Sequence, residues 1–159
     1  MVSREHTQKP HQREHFFCGR PRYRTCDFTG RTTTITNANG DVRLKGLFSC
    51  TAACVVYVVT CQRCYKLYNG ETDRRFAGRF GEHLRSVEGF KQKPRYQGGG
   101  FHVAEHFNLP EHNHVHDMRV SVVRQVKGGT ATRQREEQRL FFQLGTLAHG
   151  GLNIDFKFL

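Results

Sequence analysis

Residues 54–60, with the sequence Cys-Val-Val-Tyr-Val-Val-Thr, limit the possible folds of this chain more than any other stretch. Nearly every position is β-branched or aromatic, without the alternation of polar and apolar residues found in a strand that has one face in water. The run therefore predicts a strand buried on both faces, at the centre of a sheet. Its apolar part, residues 55–59, is about a quarter of the roughly 20 residues that a membrane-spanning helix needs. No membrane span is expected.

The stretches that follow this strand give the order of the remaining elements. Residues 65–68 alternate after a short polar break and predict the return strand of a hairpin, which Gly70 ends. Side chains suited to a buried face then recur at spacings of three and four, which predicts a helix capped by Thr72 or Asp73. These side chains are Phe76, Phe80, His83, Leu84 and Val87. A helical turn is expected at 102–107, a third strand at 118–126 and a second helix at 132–147. The order predicts a small α/β or α+β sandwich.

The length of 159 residues suits one domain with an appendage and is too short for two well-packed cores. Residues 1–48 are expected to be a basic, partly disordered lead-in, polar at first and then mixed with turn signals that predict irregular structure or a hairpin. Residues 49–159 are expected to be the folded domain. Within it, residues 88–100 predict a basic loop with three closing glycines, either mobile over a substrate or a tolerated insertion.

The charge balance indicates a polyanionic partner. Lys and Arg number 25 against 14 Asp and Glu, and the excess lies in the first two thirds of the chain. Such a surface attracts nucleic acid first, because counterions are released, and acidic membranes or acidic proteins second; simple solubility is the alternative. The candidate contacts to nucleic acid are Arg74, Arg75, Arg85, Lys91, Lys93 and Arg95.

The six cysteines point towards metal binding, because without a secretory signal a reducing setting is expected, in which clustered Cys and His more often bind metal than form disulfides. Cys61 and Cys64 lie in the predicted hairpin turn, where two thiolates can converge. His106 and His112 complete a set of four ligands of the kind that a closed tetrahedral zinc site uses. The alternative is two reduced buried cysteines and a His-rich surface loop. His114 and His116 are spare candidates for the histidine ligands.

Several polar residues form candidate constellations for catalysis. Tyr57 and Tyr68 are placed on two paired strands beside a helix, although cross-strand packing would explain such a pair equally well. Arg79 and His83 lie one helical turn apart on one face, where Arg suits a phosphate and His can move a proton; the alternative is a solvated basic face. Glu137, in the second helix, would alone be an ordinary surface charge.

The order of these residues resembles the GIY-YIG nuclease family, in which two tyrosines, a helical Arg, a His, a metal-binding Glu and a late Asn line one site. The matching positions are Tyr57, Tyr68, Gly70, Arg79, His83, Glu137 and Asn153. The closer similarity is to the endonuclease module of Penelope-like retroelements, over about residues 49–155. It is carried by Cys50 and by the segments VVYVVTCQRC, LYNGETDRRFAGRFGEH, VAEHFNLPEH and EEQRLFFQLGTLAHGGLN. The upstream CGRPRYRTC resembles that branch's cysteine-bearing segment, with Tyr23 in place of one Cys.

The resemblance implies a GIY-YIG fold, with a mainly antiparallel three-stranded sheet flanked by helices, and a metal-dependent DNA endonuclease that nicks its substrate. It implies that Tyr57 is the base, that Glu137 holds catalytic Mg²⁺ or Mn²⁺ and that Arg79 neutralises charge on the phosphate. His83 and Tyr68 would orient water or share protons, and Asn153 would brace the site. The Cys-Cys-His-His set resembles a structural zinc site of the same branch. The implied partner is DNA, with neither a membrane nor a small-molecule substrate, in an intracellular, nuclear setting.

The sequence departs from the family pattern at three positions. Val55 replaces the first Gly of GIY, and Leu140 stands where the helix usually has Trp. Asn69 replaces an apolar residue of YIG and puts an amide at a buried strand position, where an unsatisfied amide would cost about 1–3 kcal/mol. The alternative function is therefore a catalytically silent nucleic-acid-binding module held together by zinc. A third is a zinc-bound interaction domain without a role on nucleic acid.

Overall fold

The computed structural model describes residues 23–29, 32–37, 39–46, 48–90, 101–147 and 150–153. They form a small α+β domain, as the sequence predicts. The strands are β1 (Thr34–Asn37), β2 (Gly40–Arg43), β3 (Val55–Cys61), β4 (Leu67–Thr72) and β5 (Met118–Gln125). The helices are α1 (Phe76–Glu88), α2 (Phe101–Phe107) and α3 (Thr130–Leu144), with short 3₁₀ turns at Arg24–Phe28 and His114–Asp117. Among these helices none is long and apolar enough to cross a membrane.

The main sheet has three antiparallel strands in the order β4-β3-β5. The central strand is β3, and its residues 55–59 are completely buried, which confirms the strand predicted from composition. Its pairing with β5 shifts register between Val56 and Tyr57. From that point Tyr57 lies opposite Gly70 on one side and Val122 on the other.

Each face of this sheet packs against different elements. On one face, β3 contributes Val55, Tyr57 and Val59 to a core with the apolar residues of α1 and α2. On the other face, Val56 and Val58 pack against Leu140 and Leu144 of α3 and against the β1–β2 hairpin. Burying a large apolar side chain stabilises a fold by about 1.5–3 kcal/mol, so a strand with five completely buried residues stabilises the domain substantially.

The described part of the lead-in packs onto the same two cores. The antiparallel β1–β2 hairpin contributes Ile35, Val42 and Leu44 to the α3 face. Phe28 packs edge-on against Phe80 of α1, with ring centroids 5.6 Å apart. The disorder predicted for the first residues concerns positions outside those that the structure describes.

The observed boundaries of α1 and of β4 differ from those that the sequence predicts. Neither Thr72 nor Asp73 caps α1: the N-cap is Arg75, without a side-chain cap bond. The first amides of α1 instead donate to backbone carbonyls of the segment before β3, Phe76 N–H to Ala52 O at 2.8 Å and Ala77 N–H to Cys50 O at 2.9 Å. The return strand begins at Leu67 and not at residue 65, because residues 62–66 connect it to β3. It also continues past Gly70 to Thr72, so the prediction that Gly70 ends it is wrong.

Candidate active site and metal centre

Gly70 allows a tyrosine to lie across the sheet. Tyr57 is completely buried, and its strand register places it directly opposite Gly70. A Cβ atom at position 70 would lie 2.7 Å from the Tyr57 hydroxyl oxygen, closer than real side chains approach, and 3.1 Å from Cε1 of Tyr68, which is tighter than most real contacts. Only glycine therefore fits between the two tyrosines without displacing one of them.

Helix α1 adds Arg79 and His83 to the tyrosines, one turn apart. The Tyr57 hydroxyl lies 2.8 Å from His83 Nε2, and Arg79 Nε donates to the same oxygen at 3.1 Å. The Tyr68 ring meets the His83 ring edge-on at a centroid distance of 5.3 Å. Because Arg79 can only donate, the arrangement that satisfies all three groups has the phenol donating to a neutral His83. The structure thus brings four of the predicted residues into one cluster.

Burial sets the protonation states in this cluster. It raises the pKa of Tyr57 well above its ordinary value, an effect that the neighbouring Tyr68 increases and the positive charge of Arg79 opposes. Burial first and the charge of Arg79 second lower the pKa of His83 to about 3, and the charge of Glu82 opposes them. At neutral pH the cluster therefore holds a neutral phenol and a neutral imidazole that accepts its hydrogen bond.

Glu82 of α1 contacts this cluster, although the sequence did not indicate it as a site residue. It accepts hydrogen bonds from Arg79 Nη1 at 2.8 Å and from both terminal nitrogens of Arg74 at 2.6 and 2.9 Å. These bonds, Arg74 first, hold the pKa of Glu82 at about 2 despite some burial. The i,i+3 spacing from Arg79 is the signal that could have indicated it. Glu82 orients the guanidinium that reaches Tyr57.

Glu137 approaches the tyrosines from the other helix, α3. Its side chain is half-buried. Burial is the main cause of the raised pKa of Tyr68 and of Tyr57, and the negative charge of Glu137 contributes to raising both. The carboxylate is therefore close enough to both phenols to act on them electrostatically.

Asn153 contacts the backbone of β4. Its side-chain oxygen accepts from Asn69 N–H at 2.9 Å, and its amide nitrogen donates to Asn69 O at 2.7 Å. The described hydrogen bonds of Asn153 go to β4 and to Thr146, whose carbonyl accepts from Asn153 N–H at 2.8 Å. The residue thus pairs with the outer edge of β4, in the middle of that strand.

The expectation that Asn69 strains the sheet is wrong. Asn69 is fully buried, but its Nδ2 donates to the backbone oxygen of Glu137 at 3.0 Å, and its Oδ1 accepts from the Thr146 hydroxyl. Both ends of the amide are satisfied, so the cost of an unpaired buried polar group does not arise.

A second cluster forms around the β3–β4 turn. The ligand atoms of Cys61, Cys64, His106 and His112 all lie within 4.8 Å of one another, and this set could hold a metal ion. Cys64 Sγ is 3.4 Å from His106 Nε2, and the two imidazole rings are 4.4 Å apart between centroids. Both ring nitrogens of His112 are buried without a hydrogen-bond partner among the described residues. Such nitrogens are costly to bury unless a ligand uses one of them.

The backbone of the turn prepares Cys61 for a cation. The N–H groups of Cys64 and Arg63 point at its sulfur and favour the thiolate, although burial is the larger effect and raises the pKa of Cys61 to about 11. Tyr65, at φ +63°, closes the turn by donating its N–H to Cys61 O at 2.8 Å. Burial, followed by the charge of His112, lowers the pKa of His106 to about 4, so its nitrogen is available at neutral pH. A bound cation would stabilise the Cys61 thiolate.

The spare histidines lie outside this set. His114 and His116 are both exposed, and His114 Nδ1 is 2.9 Å from Asn108 Oδ1. The predicted basic contacts are only partly described: Arg74, Arg75 and Arg85 are exposed on or just before α1, whereas Lys91, Lys93 and Arg95 lie outside the described residues. These three arginines therefore lie on or next to the helix that carries Arg79 and His83.

The two clusters lie at different places on the same sheet. The tyrosine cluster occupies the middle of β3 and β4, and the Cys-His cluster surrounds the turn that joins those strands. In comparisons with known proteins, no protein-family model, no curated protein and no solved structure matches this chain.

Proposed function

We propose that this chain is a metal-dependent DNA endonuclease of the GIY-YIG type, which hydrolyses a phosphodiester bond and nicks its substrate. The observation that carries the proposal is the hydrogen-bonded chain from Arg79 through Tyr57 to His83, seated at Gly70 with the Glu137 carboxylate nearby. A buried tyrosine and imidazole, a half-buried guanidinium that donates to the phenol and a carboxylate that acts on it electrostatically could together supply proton transfer and charge stabilisation. The net charge of +11 supports a nucleic-acid substrate.

A neutral tyrosine is a poor base, and the arrangement around Tyr57 suggests how it could act. As its oxygen accepts a proton from the attacking water, its own proton passes to His83 Nε2, 2.8 Å away. The negative charge of a bound phosphate would raise the pKa of His83 and favour this transfer. Arg79, held by Glu82, would neutralise charge that develops on the phosphate.

Glu137 is the residue that would hold Mg²⁺ or Mn²⁺ in this proposal, since carboxylate oxygens are the ligands that such hard cations prefer. The bound cation would supply charge relief for the phosphate and the leaving oxygen. Tyr68 would orient the water, and Asn153 would brace β4 beneath the site.

We infer zinc as the metal of the Cys61, Cys64, His106 and His112 set. Two thiolates and two imidazoles are the ligands that tetrahedral zinc takes in structural sites, and four protein ligands leave no open position for chemistry. The site would connect the β3–β4 turn to α2 and to the loop that follows it.

The proposal is tested by nicking of supercoiled plasmid in Mg²⁺. We expect the wild-type protein to nick and Glu137→Ala to be slower by about 100-fold or more, in the range found when an essential charged group is removed. Glu136→Ala is the matched control, because Glu136 is also half-buried but pairs with Arg124 and Arg139. If the wild-type protein and Glu137→Ala behave alike, the proposed activity is wrong.

The alternative, a silent nucleic-acid-binding module, is favoured by the burial that raises the pKa of Tyr57. It predicts that DNA is retained at low salt and released as salt rises, without cleavage. Retention measured by fluorescence anisotropy beside the plasmid assay separates the two. A chain that neither cleaves nor retains DNA would favour the third function, a zinc-bound interaction domain.

A further inference from the structure

Asn69 occupies a position on the sheet face that packs against α3. It lies opposite Val58 in the β3–β4 register, and its apolar neighbours on that face include Val56, Val58 and Leu67, which belong to one core with Leu140. A side-chain amide at such a position must find partners for its donor and acceptor atoms within the protein.

The partners of Asn69 come from two separate segments. Its Nδ2 donates to the backbone oxygen of Glu137 at 3.0 Å, and the Thr146 hydroxyl, fully buried, donates to its Oδ1. One amide therefore joins β4 to the middle of α3 and to the segment that follows this helix. The attachment point on α3 is the residue whose carboxylate acts on the two phenols.

From these contacts we infer that Asn69 is a positioning residue, which fixes the α3 backbone at Glu137 relative to Tyr68, its own neighbour in β4. The inference rests on the proposed function, because it assigns Glu137 a divalent cation. The reason is geometric: a carboxylate binds a cation well only when it is held at the correct distance from the other ligands, so a looser α3 would weaken the site.

The test measures Mn²⁺ affinity directly, by electron paramagnetic resonance of free Mn²⁺, with zinc present so that the Cys-His set is filled. Glu137→Ala defines the signal of this site. We expect Asn69→Leu, which suits an apolar face and should fold, to raise the Mn²⁺ Kd by about 10- to 100-fold. Thr146→Val, which leaves the bond to Glu137 in place, should raise it less, and Thr146→Ser should bind as the wild type does.

A second comparison separates positioning from simple stability. Asn69→Leu leaves the buried Thr146 hydroxyl unpaired, so the double variant Asn69→Leu with Thr146→Val should recover thermal stability but keep the weak Mn²⁺ binding. The inference is overturned if Asn69→Leu lowers the Tm while its Mn²⁺ Kd stays within about twofold of the wild type, since measured affinities vary by that much. Should Asn69→Leu not fold, equal Kd values for Thr146→Val and Thr146→Ser would also overturn it.

Failure of the proposed function gives a different result. If the wild-type protein binds Mn²⁺ through Glu137 but does not nick plasmid, the proposed endonuclease activity is wrong. The Kd values of the variants then decide whether Asn69 positions Glu137. A protein that nicks plasmid while Asn69→Leu has unchanged Mn²⁺ affinity would remove the positioning role alone.

Discussion

At position 70 the backbone itself is part of the candidate site, because Tyr57 lies directly across β4 from it. The tyrosine reaches Arg79 and His83 only along the space that a side chain at position 70 would fill. A tyrosine–glycine pair is visible in the sequence, but the closeness of the two becomes evident only in the strand register. The importance of Gly70 therefore depends on Tyr57, the residue opposite it in the sheet.

Gly70→Ala should displace the Tyr57 ring and destabilise the fold. The added methyl would lie 2.7 Å from the hydroxyl oxygen, and overpacking of this kind costs about 1–3 kcal/mol. We expect a lower free energy of unfolding in urea together with loss of plasmid nicking. Gly78→Ala is the control: nothing lies within 4 Å of its added methyl, and in a helix the change stabilises by about 0.5–1 kcal/mol. Equal effects of the two substitutions would contradict this account.

At the scale of elements, composition and spacing predict what local sequence determines. The apolar run at 55–59 predicted β3, because the burial of this strand follows from its own residues. The three- and four-residue spacing of apolar side chains predicted α1. The cap of α1 was missed because its amides are satisfied by Ala52 and Cys50, which precede β3 along the chain. A contact of that kind has no signal in local sequence.

In the candidate site, too, the sequence indicated some residues and missed the contacts of others. The residues that bear the chemistry were found because their types and order are distinctive. The contribution of Glu82 was missed in part because Arg74, eight positions earlier and outside the helix, supplies two of its hydrogen bonds. The effect of Asn69 was misjudged for the same reason, since its partners Glu137 and Thr146 lie 68 and 77 positions away.

Removal of the metal should loosen the connection between the β3–β4 turn and α2. Purified wild-type protein is expected to carry about one zinc per chain, and Cys64→Ser to carry less, measured by inductively coupled plasma mass spectrometry. Metal at about a thousandfold above its Kd stabilises a fold by about 4 kcal/mol, which corresponds to roughly 8–16 °C in Tm for a chain of this size.

The control for this experiment is Cys54→Ser. Cys54 directly precedes β3 and is half-buried, whereas Cys64 is exposed; it lies outside the Cys-His set, with its sulfur 3.8 Å from Asp73 O. Its zinc content should match that of the wild type. Full zinc content in Cys64→Ser, or a Tm that a chelator does not change, would count against a structural metal here.

Across the whole molecule, the sheet separates two cores that the lead-in helps to complete, Phe28 on the α1 face and the β1–β2 hairpin on the α3 face. The tyrosine cluster is enclosed on the α1 face, so its ionisable groups are buried together with the apolar core. Protonation of the cluster is therefore coupled to the stability of the entire domain.

Acid should destabilise the domain in a window set by His83. Its pKa is about 3 in the folded chain and close to 6.5 when unfolded, so between these values the unfolded chain binds the additional proton. The stabilisation is present above about pH 6.5 and is lost as the pH falls, by about 1.4 kcal/mol per pH unit for one such group. His106, whose pKa is lowered to about 4, adds to the slope when metal is removed.

Urea unfolding from pH 7 to 5, with a chelator present, measures this dependence of the unfolding free energy on pH. His83→Gln should remove about half of it, whereas His114→Gln, at an exposed residue, should not. A slope unchanged in His83→Gln would show that the imidazole is not held neutral by the fold.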